Sequence, residues 1–162
     1  MTIERIGTVD SCACSACCSA CRRKPGWFVP EEIAPLAEAM GLTPQQLFDR
    51  HLAVDWWEGD DANVFVLSPA IKGEPTGDMF PGDPRGECAF FKDERCTIHD
   101  HGKPFECRKT WHLNDGRALH KRTADAWNAP QHQQMIRDLL GREPVAEEYE
   151  GDGLFSMLGL LS

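Results

Sequence analysis

Cys12-Ala13-Cys14-Ser15-Ala16-Cys17-Cys18-Ser19-Ala20-Cys21 packs five of the chain's eight cysteines into ten positions. The other three, Cys88, Cys96 and Cys107, form a second short stretch. Soft thiolates suit zinc, copper(I) and iron–sulfur clusters, whereas calcium and magnesium take oxygen ligands. Two Cys-x-x-Cys pairs, Cys14/Cys17 and Cys18/Cys21, lie end to end, and each spacing lets a tight turn bring two sulfurs to one ion. Small Ser and Ala fillers help the backbone wrap. Neighbouring Cys17 and Cys18 diverge in most backbone geometries, so they are expected to serve different metals or different atoms of one cluster. The candidate metal ligands are therefore Cys12, Cys14, Cys17, Cys18, Cys21, Cys88, Cys96 and Cys107, and the expected fold is stapled by the site they form.

Two other uses of cysteine compete. An even count permits a disulfide framework, but Met1-Thr2-Ile3-Glu4-Arg5-Ile6 has neither an apolar signal core nor a cleavage site. A cytoplasmic, reducing setting is the expectation. Inert buried thiols scatter along core positions instead of crowding a Ser/Ala loop. No apolar run is long enough to span a membrane.

With 162 residues and 41% hydrophobic content, the chain can bury a core without help from metal. Its net charge of −9, from 17 basic and 26 acidic residues, argues against a general nucleic-acid-binding surface. The basic residues that cluster, Arg22-Arg23-Lys24 and Arg108-Lys109, directly follow Cys21 and Cys107. They read either as solvated surface or as cations that lower thiol pKa and offset the charge of a thiolate site.

Past the turn Pro25-Gly26-Trp27, residues Ile33, Leu36, Ala37 and Met40 fall at helical spacing and stop at Gly41, with Pro35 expected in the first turn. Thr43-Pro44-Gln45-Gln46 reads as a capping box opening a second helix, with Leu47, Phe48, His51 and Leu52 inward. His51 reads as a packed or half-exposed helix residue. Asn63-Val64-Phe65-Val66-Leu67 is a β-type run limited by Ser68-Pro69. Residues 72–86, rich in Gly and Pro, read as a loop that is a lid, a partner surface or unstructured. Residues 87–91 and 95–99 flank Lys92-Asp93-Glu94 and suggest a hairpin that sets Cys88 and Cys96 near each other. Asn128 precedes a last helix with His132, Met135, Ile136, Leu139 and Leu140 on one face, ended by Gly141. The tail 154–161 is apolar, a segment packed on the core or a dimer contact. Together these predict an α+β fold: one small domain over 1–162, helices around a short β-hairpin, a metal-binding core over about 12–110, and a C-terminal helix and tail over 128–162.

In order along the chain, Cys14-x-x-Cys17-Cys18, the Pro-Gly-Trp turn with Pro30-Glu31-Glu32-Ile33, Cys88-Ala-Phe-Phe, Cys96-Thr-Ile-His and Pro104-Phe-Glu-Cys107-Arg108 resemble the YkgJ-type CxxCxxCC family of zinc- or iron-chelating, cysteine-cluster domains. The resemblance spans roughly residues 12 to 110. It implies a metal or iron–sulfur module and carries over to Cys14, Cys17, Cys18, Cys88, Cys96 and Cys107. The chain departs from the pattern at Ser11, where the family's first cysteine would fall, at His99-Asp100 and at Lys103; Cys21 is additional to it.

Closed zinc sites usually join two knuckles, and the second segment has none, which favours an iron–sulfur cluster over zinc. A module for electron transfer, metal handling or a partner enzyme is the first functional expectation. The alternative is a small metalloenzyme with an open coordination site, using His99 or His101 as extra ligand or proton-transfer group. The spacing Cys14-x-x-x-Cys18-x-x-Cys21 matches radical S-adenosylmethionine enzymes, but no alternating βα pattern accompanies it. A Cys107/His112 nucleophile pair and the acidic pairs Asp60-Asp61 and Glu147-Glu148 carry no comparable signal. Partner contacts are expected at the 72–86 loop or the apolar tail, with none to membrane or general nucleic acid.

Overall fold

The computed structural model describes residues 23–81, 85–93, 95–98, 102, 104–109 and 116–146. A single 3-10 turn, Pro30–Glu32, leads into α1, Ile33–Ala39. Pro35 is tolerated there because it lies in the first helical turn, where a missing N–H breaks no ladder. The capping box is present: Thr43 Oγ1 accepts from the Gln46 N–H at 3.1 Å, and Gln46 Oε1 accepts from the Thr43 N–H at 3.0 Å, opening α2, Pro44–His51. Leu47 and Phe48 are its buried face.

At Leu52 the backbone swings to φ −120°, ψ 168°, and α2 passes without a loop into β1, Leu52–Glu58. Leu52, expected on the inward face of the helix, instead opens a strand that the sequence does not announce. No Gly, Pro or polar cluster separates the two elements, so the usual breaker signal is missing. β1 pairs antiparallel with β2, Asn63–Pro69, in full register from Leu52↔Pro69 to Glu58↔Asn63. The strand runs on through Ser68-Pro69, past the limit read from the sequence.

Leu52, Ala53, Val54 and Asp55 are buried on both faces because β1 is central. Residues 77–80 run parallel along its other edge: the Gly77 N–H donates to Leu52 O at 2.8 Å, the Val54 N–H to Asp78 O at 2.9 Å, and the Phe80 N–H to Val54 O at 2.9 Å. That part of the 72–86 loop is thus tied to the sheet. Beyond β2, the backbone pairs again, Lys72 N–H to Glu87 O and Ala89 N–H to Ala70 O, around an Ile71↔Cys88 bridge.

The expected hairpin forms but is short, β3 Phe91–Lys92 with β4 Arg95–Cys96, turning at Asp93 with φ 54°. Asp tolerates that left-handed conformation better than most residues. Two helices that the sequence reading did not identify follow, α3 Phe105–Lys109 and α4 Gly116–Trp127. The last helix, α5 Pro130–Leu140, ends as read, with Gly141 left-handed at φ 77°, but its N-cap is Ala129 and not Asn128, and no side chain caps it. α4 packs on both long strands, and α5 packs on β2 and α2. One apolar cluster joins Phe28, Ile33, Leu36, Leu47, Phe48, Val54, Val66, Leu67, Trp127 and Ile136 to Phe90, Phe91 and Ile98 of the hairpin region. The architecture is α+β, as the sequence predicts. Among the described residues, no helix is long and apolar enough to cross a membrane.

Candidate metal centre

Three of the eight candidate ligands, Cys88, Cys96 and Cys107, are described; Cys12, Cys14, Cys17, Cys18 and Cys21 lie outside the described residues, as do His99, His101 and His112. Cys88 is buried, and its position is set from three sides. The pairing of 87–89 with 70–72 holds its backbone, its carbonyl accepts from the Phe91 N–H at 3.0 Å, and its Sγ accepts from the Phe90 N–H at 3.4 Å. Cys96 is half-buried and pairs with Phe91, so the hairpin links Cys88 and Cys96 through a single turn rather than directly across the strands.

Cys107, also half-buried, sits on α3. This short helix is fastened to the segment 26–32 that follows the N-terminal cysteines. The Phe105 N–H donates to Glu32 Oε1 at 2.9 Å, and the same oxygen accepts from the Val29 N–H at 2.9 Å. The Glu106 N–H donates to Trp27 O at 3.2 Å, while Glu106 Oε1 accepts from the Trp27 N–H at 2.8 Å. Gly26 is pressed against the next residue: a Cβ there would lie 2.9 Å from Cys107 Sγ, 2.9 Å from Glu106 Cβ and 3.0 Å from Cys107 N. On the other side, the Gly86 N–H donates to Arg23 O at 2.7 Å, two residues before Cys88.

Behind Cys107 lies a buried polar network absent from the sequence reading. Glu106 is 2% exposed, and its Oε2 lies 2.7 Å from His120 Nδ1 on α4. Facing a carboxylate, Nδ1 is the donor nitrogen of that ring. The His120 ring lies against Trp27 with centroids 4.1 Å apart, and Trp57 is at 6.5 Å, with the Arg117 guanidinium 5.0 Å above its ring. Trp27 Nε1 donates to buried Asp55 Oδ2 at 2.9 Å, and Lys24 Nζ lies 3.6 Å from the same oxygen. Of the cations expected to offset thiolate charge, Lys24 is thus spent on a carboxylate, and Arg23 is exposed. The only sequence hint of Glu106 was an acid lodged between Phe105 and Cys107; Asp55 sat unmarked in an apolar run.

His51 is half-buried at the end of α2, its ring 5.5 Å from that of Phe90. Burial, followed by the neighbouring Arg50 charge, pushes its pKa below the usual histidine value. Asp60 and Asp61 are exposed in the β1–β2 turn. Among the described residues, no three or more His, Cys, Asp or Glu side chains gather as a metal-holding group. No protein-family model, no curated protein and no solved structure matches the chain.

Proposed function

We propose that this chain holds an iron–sulfur cluster or zinc through its two Cys-rich segments, as a module for electron transfer, metal handling or a partner enzyme. One observation carries the reading: the segment leaving the N-terminal cysteines is bonded to the flanks of Cys88 and packed on Cys107. Cys21 precedes Arg23 by two residues, a chain length of about 7 Å at most. Arg23 O accepts from the Gly86 N–H, and a Cβ at residue 26 would meet Cys107 Sγ at 2.9 Å. A thiolate donor set of this kind suits zinc or iron–sulfur chemistry. The motif resemblance to cysteine-cluster chelating domains points the same way.

A second reading, a small metalloenzyme with an open coordination site, keeps one support beyond His99 and His101. His120 is held at Nδ1 by Glu106, the residue before Cys107, which is how second-layer carboxylates orient imidazoles around metal sites.

Anaerobic purification with elemental analysis and a visible spectrum tests the proposal. The expected result is near-stoichiometric metal, released by chelator or by acid because the ligands must stay deprotonated. Cys17→Ser or Cys18→Ser should strip it, whereas His99→Ala and His101→Ala should retain it. A folded, metal-free chain with four disulfides from a reducing cytoplasm would sink the proposal. Metal retained but an activity abolished in a histidine variant would move the assignment to the open-site enzyme.

A further inference from the structure

We infer that Gly26 and Glu106 form a latch that fixes where Cys107 Sγ sits relative to residues 26 and 27, making both positioning residues for Cys107 as a metal ligand. The inference rests on the metal-binding reading above. Three observations carry it. First, Glu106 exchanges two hydrogen bonds with Trp27, accepting from its N–H at 2.8 Å and donating its own N–H to the Trp27 carbonyl at 3.2 Å. A reciprocal pair fixes register as well as distance, so residue 107 must face residue 26. Second, the side chain supplying one half of this pair is a carboxylate 2% exposed, costly to bury unless its contacts are kept. Its second oxygen is held by His120, which itself lies against the Trp27 ring. The latch is therefore braced from α4. Third, the fit is closed at the sulfur: any side chain at residue 26 would meet Cys107 Sγ at 2.9 Å, nearer than carbon atoms pack.

Residue 26 lies five positions after Cys21 on the same strand of chain that Gly86 holds at Arg23. Moving Cys107 away from Gly26 therefore moves it relative to Arg23, which follows Cys21 by two residues in the chain. Metal sites tolerate little such displacement, and losing an orienting contact typically weakens binding by about 10- to 100-fold.

The test uses full-length protein with whatever metal it retains on anaerobic purification, following loss of that metal to EDTA. Gly26→Ala and Glu106→Gln should each speed the loss or lower the affinity by about tenfold or more. Ile136→Ala, a core change in α5, should destabilise the fold while leaving metal loss unchanged. In a Cys107→Ser background, Gly26→Ala should add nothing further to metal loss, because the ligand it would displace is gone. Wild-type protein without metal would defeat the metal-binding reading itself. Metal-loaded wild type with equally loaded, equally slow Gly26→Ala and Glu106→Gln variants would overturn the latch alone. So would variants that cannot fold even when metal is supplied, since the pair would then belong to the core and not to the centre.

Discussion

Trp127 shows how one side chain ties distant segments together. It is fully buried, and its Nε1 donates to Phe28 O at 2.7 Å, joining the end of α4 to the strand-like segment that leads away from Gly26. Trp127→Phe would leave that carbonyl without its donor and a void beside it, for a combined loss of about 1–3 kcal/mol in stability by urea unfolding. Metal content should be unchanged, since neither atom touches a cysteine. A loss below about 0.5 kcal/mol, the size of an ordinary surface change, would show the bond to be dispensable. Glu106 and Asp55 teach the complementary lesson. Both are acids that composition assigns to solvent, yet both are buried as acceptors for Trp27, which is visible only once the backbone brings residues 27, 55 and 106 together.

At the scale of elements, helix boundaries were legible where local chemistry marks them. Thr43-Pro44-Gln45-Gln46 forms the box its sequence describes, and Gly141 ends α5 as its sequence predicts, in a left-handed conformation. β1 was not legible, because nothing punctuates the step from His51 to Leu52 and its buried run serves two faces instead of alternating. The junction has a measurable signature. His51 has its pKa held below the ordinary 6.5 by burial and then by Arg50. Between the lowered value and 6.5 the unfolded chain binds more protons at this site than the folded one, so stability rises with pH across that window. The contribution is complete above 6.5 and lost as pH falls through the lowered value. His51→Gln should flatten this part of the stability–pH curve measured by thermal unfolding; an unchanged slope would show that His51 titrates alike in both states.

For the whole molecule, the large apolar cluster and the long β1–β2 ladder supply the core, while the hairpin carrying Cys96 is only two residues per strand. Packing of Phe90, Phe91 and Ile98 supports this short ladder, and a metal held at Cys96 would be a second tie. Chelation should therefore lower amide exchange protection first at residues 86–98 and 104–107, with β1, β2 and α5 still protected. Simultaneous loss across the chain would mean that metal binding and folding are one transition, as in small zinc domains. Both outcomes are read in one exchange experiment on loaded and EDTA-treated protein.

By itself, the sequence determined the α+β class, the capping box of α2, the Gly141 end of α5, the existence of the hairpin and the candidate thiolate set, because each follows from spacing and from the chemistry of residues close together in the chain. Only the tertiary structure decided that β1 lies between β2 and residues 77–80, and that Gly26 faces Cys107. Only it revealed the carboxylates that serve Trp27 and His120. Those pairings join residues dozens of positions apart, and they depend on how the core closes, which no local pattern records.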